Sequence, residues 1–165
     1  MRNWQPTPFA MASSPNTLVE YLKGHIVREV EAAAIRVLLI EDSPALRALL
    51  SGMIEDIAGI EIIAEVDAED KALAVIEQCH PDLAIIDLEL NQGSGLNVLR
   101  QINAQPERYH GLHAVVFSNH AHASVRERCR MLGAEAFFDK TFQMDDLLDY
   151  LQGVAVKVGS PSSSH

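Results

Sequence analysis

Residues 82–96 read DLAIIDLELNQGSGL, and they set an apolar run directly against an acid. Leu83, Ala84, Ile85 and Ile86 have the character of a buried strand, and Asp87 stands at its end. A carboxylate in that position is costly to desolvate unless a cation or a set of donors meets it. A loop containing Gly93 and Gly95 follows, and then SGLNVLRQINA (94–104), which has helical spacing.

The same order of strand, loop and helix runs outward in both directions. Upstream lie IRVLLI (35–40), SPALRALLSGMIEDI (43–57), IEIIAEV (60–66) and AEDKALAVIEQC (68–79). The third strand is DLAIIDL (82–88). Downstream lie HAVVFS (113–118), ASVRERCRML (123–132), AEAFFD (134–139) and QMDDLLDYLQGVAVKV (143–158). Five short apolar strands alternating with five helices imply an α/β fold whose parallel sheet is covered on both faces. An additional amphipathic helix is expected over 17–34, where Leu18, Leu22, Ile26 and Val30 recur every four residues. Residues 1–16, rich in proline, read as a disordered leader, and 157–165 as a flexible tail. The folded domain is expected over 35–156.

The 165 residues are 48% hydrophobic and 22% charged, in keeping with one globular domain. A formal net charge of -10 argues against nucleic acid as a partner, because no basic stripe is present to neutralise phosphates. Cys79 and Cys129 have no metal-binding spacing and are expected to pack within helices as reduced thiols. Neither a membrane span nor a signal peptide is legible, so a cytoplasmic location is expected.

In a parallel sheet of this kind, ligands bind beyond the carboxyl ends of the strands. Those ends carry Glu41-Asp42-Ser43-Pro44, Asp87, Ser118-Asn119 and Asp139-Lys140-Thr141. Brought to one edge, they form a nest of carboxylates with one hydroxyl and one lysine. Clustered carboxylates call for a cation, and oxygen ligands without His or Cys favour a hard ion such as Mg²⁺. Each residue also has a plainer role. Asp42 or Ser43 could cap the first helix with Pro44 at its first turn. Asp87 could close a turn, Ser118 could bond locally, and Lys140 could be solvated surface. Their coincidence at four strand ends is what favours a site.

The stretches VLLIEDSPALRALL, PDLAIIDLELNQGSGLNVLRQI, VVFSNH and GAEAFFDKTF together resemble the receiver domain of bacterial two-component response regulators. The resemblance covers residues 35–156. It implies a flavodoxin-like, doubly wound sheet of order 2-1-3-4-5. It also implies that Asp87 accepts a phosphoryl group from a phosphohistidine. Mg²⁺ would be bound by Asp42, by Glu41 largely through water, by Asp87, and by the backbone carbonyl of Glu89. Lys140 would hold a phosphoryl oxygen, Ser118 would bond the phosphoryl group, and Phe137 would be the aromatic that turns inward with it. Glu89 and His120 occupy positions that tune dephosphorylation in the family. The implied partners are a sensor histidine kinase or histidine phosphotransfer protein, and a downstream protein target. Apart from handling its own phosphoryl group, such a module is not an enzyme.

Three positions depart from the family pattern. Thr141 replaces a proline that usually follows a cis bond. A cis bond before Thr would cost about 3 kcal/mol more than trans, so a trans bond or a strained loop is expected. Asn91 replaces a proline, which Gly93 and Gly95 should tolerate by allowing a tight turn. Asn119 replaces a small residue at what resembles the gate to the phosphoryl group. These departures keep open a pseudo-receiver, a phosphorylation-independent binding module of the same fold. A flavodoxin-type redox protein is disfavoured because Glu41 and Asp42 would repel its phosphate. A haloacid dehalogenase-type phosphatase is disfavoured because Asp87-Leu88-Glu89 lacks the second Asp that it needs. With no effector domain legible after the last helix, output is expected through protein contacts. The 17–34 helix could pack on its own domain, bind a partner or form a homodimer, and the homodimer is the expectation.

Overall fold

The computed structural model describes residues 34–159. The leader 1–16, the helix expected over 17–34 (Ala34 apart) and the part of the expected 157–165 tail beyond residue 159 lie outside these residues. Residues 157–159, expected as tail, instead continue the last helix, whose backbone hydrogen bonding runs to Gly159.

Five strands alternate with five helices: β1 (Ile35–Ile40), α1 (Pro44–Glu55), β2 (Ile60–Val66), α2 (Glu69–Cys79), β3 (Leu83–Ile86), α3 (Gly95–Ala104), β4 (His113–Ser118), α4 (Ala123–Met131), β5 (Ala136–Asp139) and α5 (Met144–Gly159). The strands form one sheet of order β2-β1-β3-β4-β5, and every neighbouring pair is parallel. This is the expected flavodoxin-like topology. β3 is apolar and buried at every position, and β1 and β4 are apolar apart from Arg36, His113 and Ser118, because both faces of the sheet are covered.

Successive side chains go to opposite faces. Val37, Leu39, Leu83 and Ile85 pack with Leu50 and Ile54 of α1 and Leu147 and Leu151 of α5. Leu38, Ile40, Ala84 and Ile86 pack with Ile76 of α2 and Val98 and Leu99 of α3. Leu38, Leu50, Ile54, Ile76 and Ile86 are completely buried. Each such aliphatic side chain contributes about 1.5–3 kcal/mol relative to exposure. This two-sided core holds the carboxyl ends of β1, β3, β4 and β5 at one edge. Of the two cysteines, Cys129 is buried in α4 and Cys79 half-buried in α2.

Two strands are shorter than their apolar runs suggest. β3 ends at Ile86, not Leu88. The Asp87 N–H still reaches the Ile40 carbonyl at 3.0 Å, but the N–H of Glu89, two residues on, turns back onto Asp87 Oδ1 at 3.1 Å. β5 begins at Ala136, not Ala134. The Ala134 N–H is used at 3.0 Å to close the exit of α4 on the Cys129 carbonyl. Among the described residues there is no cis peptide bond, so the Lys140–Thr141 bond is trans.

Candidate functional site

The acidic end of β1 and the start of α1 share a short turn. Ser43 caps α1, accepting the Leu46 N–H at 3.3 Å, with Pro44 in the first turn. This leaves Asp42 free of capping duty. The Ser43 N–H donates to Glu41 Oε2 at 3.0 Å, which fixes the Glu41 carboxylate over the sheet end. Arg47, one turn into α1, donates to the Glu41 carbonyl at 2.6 Å and clamps the turn from behind.

Asp87 is set by the start of α3. A Cβ at Gly95 would lie 1.9 Å from the Asp87 carbonyl oxygen, so the helix can seat there only with glycine. The role of Gly95 is therefore close approach rather than turn geometry. Gly93, with φ +84°, supplies the turn. The loop is cross-braced by Glu69, whose carboxylate accepts the Ser94 N–H at 2.9 Å.

Lys140 closes the constellation. Its backbone N–H donates to the Ser118 carbonyl at 3.1 Å, so β5 carries it over the sheet edge. Its Nζ lies 2.8 Å from Glu41 Oε1 and 2.9 Å from Asp87 Oδ2. Glu41 and Asp87 are 1% and 4% exposed, so these contacts form in a largely dehydrated pocket. Burial is the main force on Asp87 and, despite Lys140, pushes its pKa up to about 6. For Lys140, burial works against the charge, but the hydrogen bonds to Glu41 and Asp87 prevail and raise its pKa. Carboxylate oxygens of Glu41, Asp42 and Asp87 come within 4.8 Å of one another. All are hard oxygen donors and suit a small divalent cation such as Mg²⁺.

Ser118 is fully buried, and its hydroxyl accepts the His120 N–H at 3.1 Å. Asn119 stands at the exposed mouth, where its Oδ1 accepts the Thr141 hydroxyl at 3.5 Å. Glu89 Oε2 and His120 Nε2 meet at 2.7 Å, bridging the loops after β3 and β4. Phe137 is half-buried, 4.7 Å from the Arg126 guanidinium. The fold thus brings Glu41, Asp42, Asp87 and Lys140 into direct proximity, with Asn119, Glu89 and His120 at the rim. Phe137 stands apart from the carboxylates. Arg47, Arg126 and Gln143 were not legible as site-building residues. Nothing in a surface arginine or a loop glutamine announces an inward hydrogen bond.

Residues 37–152 match the family model described as the response regulator receiver domain. A protein-glutamate methylesterase/protein-glutamine glutaminase of Paramagnetospirillum magneticum is 30% identical over 131 residues, 76% of this chain and 33% of that protein. The chain spans between a fifth and a third of the length of the methylesterase relatives it matches first. The CheY-like receiver domain protein of Methanospirillum hungatei superposes with TM-score 0.65 at 22% identity, covering 76% of this chain and 96% of that one. The response regulator domain of Thermotoga maritima CheB gives 0.64 at 18%, covering 78% and 99%. The chain belongs to the response regulator receiver domain family.

Proposed function

We propose that this receiver domain accepts a phosphoryl group on Asp87 from a phosphohistidine of a sensor histidine kinase or histidine phosphotransfer protein. The carrying observation is the Lys140 ammonium, 2.9 Å from a buried Asp87 carboxylate and 2.8 Å from Glu41. A cation already in place meets the charge of an incoming phosphoryl group without reorganisation. With its pKa pushed up to about 6, Asp87 is ionised at neutral pH and available as the nucleophile.

An Asp87 carboxylate oxygen attacks phosphorus as the phosphorus–nitrogen bond breaks, and the imidazole leaves with the bonding pair. Lys140 holds one phosphoryl oxygen and the Ser118 hydroxyl turns to donate to another. Asp42, Asp87, Glu41 and the Glu89 carbonyl would hold Mg²⁺, which supplies positive charge to the phosphoryl oxygens. The resulting shift of Ser118 and Phe137 changes the surface read by a downstream protein. We place this module in the cytoplasm, where kinase domains present their phosphohistidines. Among the described residues, no helix is long and apolar enough to cross a membrane.

The test is intact mass after incubation with Mg²⁺ and acetyl phosphate, beside Asp87→Asn. One added phosphoryl group in the parent alone is expected. A second reading, the pseudo-receiver, draws on the Asn119–Thr141 contact across the mouth. It predicts no gain in either protein, nor after Asn119→Ala opens the gate. The 17–34 segment is proposed to form a homodimer. An unchanged number of chains per particle after deletion of residues 1–34 would rule that out.

A further inference from the structure

Arg126 belongs to ASVRERCRM, a run that reads as a charged helix surface, yet its guanidinium turns inward. Its Nε–H donates to the Ala121 carbonyl at 3.0 Å. Its two terminal nitrogens donate to the Phe137 carbonyl at 3.4 Å and to Gln143 Oε1 at 3.1 Å. Its planar head lies 4.7 Å from the centre of the Phe137 ring, within cation–π range. Gln143 Oε1 also accepts the N–H of Asp139, the residue before Lys140, at 2.9 Å. One side chain therefore ties together the loop that follows Ser118, the strand that carries Phe137, and the turn that carries Lys140.

We infer that Arg126 is a latch, a positioning residue that holds the 119–122 loop and Phe137 in the unphosphorylated arrangement. The inference rests on the function proposed above. In the present arrangement the Ser118 hydroxyl is engaged by the His120 N–H at 3.1 Å. For that hydroxyl to reach a phosphoryl group on Asp87, the loop behind it must be redrawn, and the Ala121 carbonyl moves with it. For Phe137 to turn inward, its ring must leave the guanidinium. Both movements would break contacts that Arg126 makes in the present arrangement. A restraint peculiar to one conformer weakens whatever binds the other. Arginine suits the task because its fork can serve three acceptors while its plane stacks on a ring, which lysine cannot do.

The test uses beryllofluoride, a tetrahedral phosphoryl mimic that adds to a carboxylate, at saturating Mg²⁺. Its dissociation constant is measured by calorimetry on the full chain and on Arg126→Gln, with Mg²⁺ affinity measured separately. The latch predicts roughly five- to tenfold tighter beryllofluoride binding by the variant, within the usual span of allosteric coupling, and unchanged Mg²⁺ affinity. Equal or weaker binding by the variant, with the parent competent, overturns the latch and leaves Asp87 as acceptor. Binding by the variant alone supports the latch in its extreme form. Binding by neither overturns both the latch and the acceptor reading. A second measurement needs no variant: the Arg126 Nε–H resonance of the ¹⁵N-labelled parent. The latch predicts slow solvent exchange in the free protein and fast exchange once beryllofluoride saturates the site. Persistent protection in the saturated protein refutes it.

Discussion

The floor and the rim of the cleft are built on opposite terms. On the floor, Glu41 and Asp87 are almost wholly enclosed, and one lysine satisfies two carboxylates. At the rim, Glu89 and His120 pair across open water, and Asn119 meets Thr141 at the limit of hydrogen-bond distance. Removing a partner from a buried ion set leaves an uncompensated charge, whereas an exposed pair is worth about 0–1 kcal/mol. On the proposed function, the floor would set which chemistry is possible and the rim how readily it is reached.

The sharpest way to break this contrast is Lys140→Met. It should destabilise the protein by about 3–5 kcal/mol at neutral pH, because two enclosed carboxylates lose their cation. The loss should shrink at pH 5, below the value of about 6 to which burial raises Asp87, as that carboxylate takes up its proton. Urea unfolding at both pH values checks it, and an equal loss at each would contradict the floor as described.

Asp87→Asn probes the same floor through its pH dependence. The folded protein raises the Asp87 pKa from 3.8 to about 6, so it binds this proton more tightly than the unfolded chain does. Stability from this source is full below the unfolded value and is lost as pH rises through about 6. The variant lacks that titration and should gain on the parent by about 3 kcal/mol between acid and neutral pH, measured without divalent cation. By the same logic, Mg²⁺ should bind the parent progressively more weakly below about pH 6, as calorimetry at stepped pH would reveal.

At the rim the effects should be small in energy and visible in rate. Asn119→Ala should speed phosphoryl uptake from acetyl phosphate severalfold with little change in melting temperature. Glu89→Gln should alter stability by less than about 1 kcal/mol. It should leave the final phosphoryl stoichiometry intact, as intact-mass time courses would show. A rim substitution that abolished phosphorylation outright would erase the distinction.

The same contrast explains what the sequence made legible. An acid closing an apolar run is visible in one dimension, so Glu41, Asp42, Asp87 and Lys140 stood out together once the parallel order was read. The inner strands were legible because burial on both faces leaves few polar residues in them, Arg36, His113 and Ser118 being the exceptions. β3 and β5 were overextended because chain exits are decided by hydrogen bonds, such as the Glu89 N–H turning back to Asp87, and not by apolarity. The rim contacts and Arg126 were hidden for a related reason. A long polar side chain can face solvent or fold inward with the same sequence spacing, and only its tertiary acceptors decide between them. Gly95 was noticed for the wrong property, because its fit against a backbone oxygen leaves no mark on local pattern.

That fit has a consequence for how this chain can diverge. Every residue reachable from glycine by a single base change brings a Cβ, and at position 95 that atom would fall 1.9 Å from the Asp87 carbonyl oxygen. At Gly52 and Gly153 the same atom meets nothing within 4 Å. In a saturation library selected for folding, positions 52 and 153 should accept many codons while position 95 stays almost monomorphic. The Asp87 backbone is thereby sheltered from drift by a residue that itself carries no chemistry.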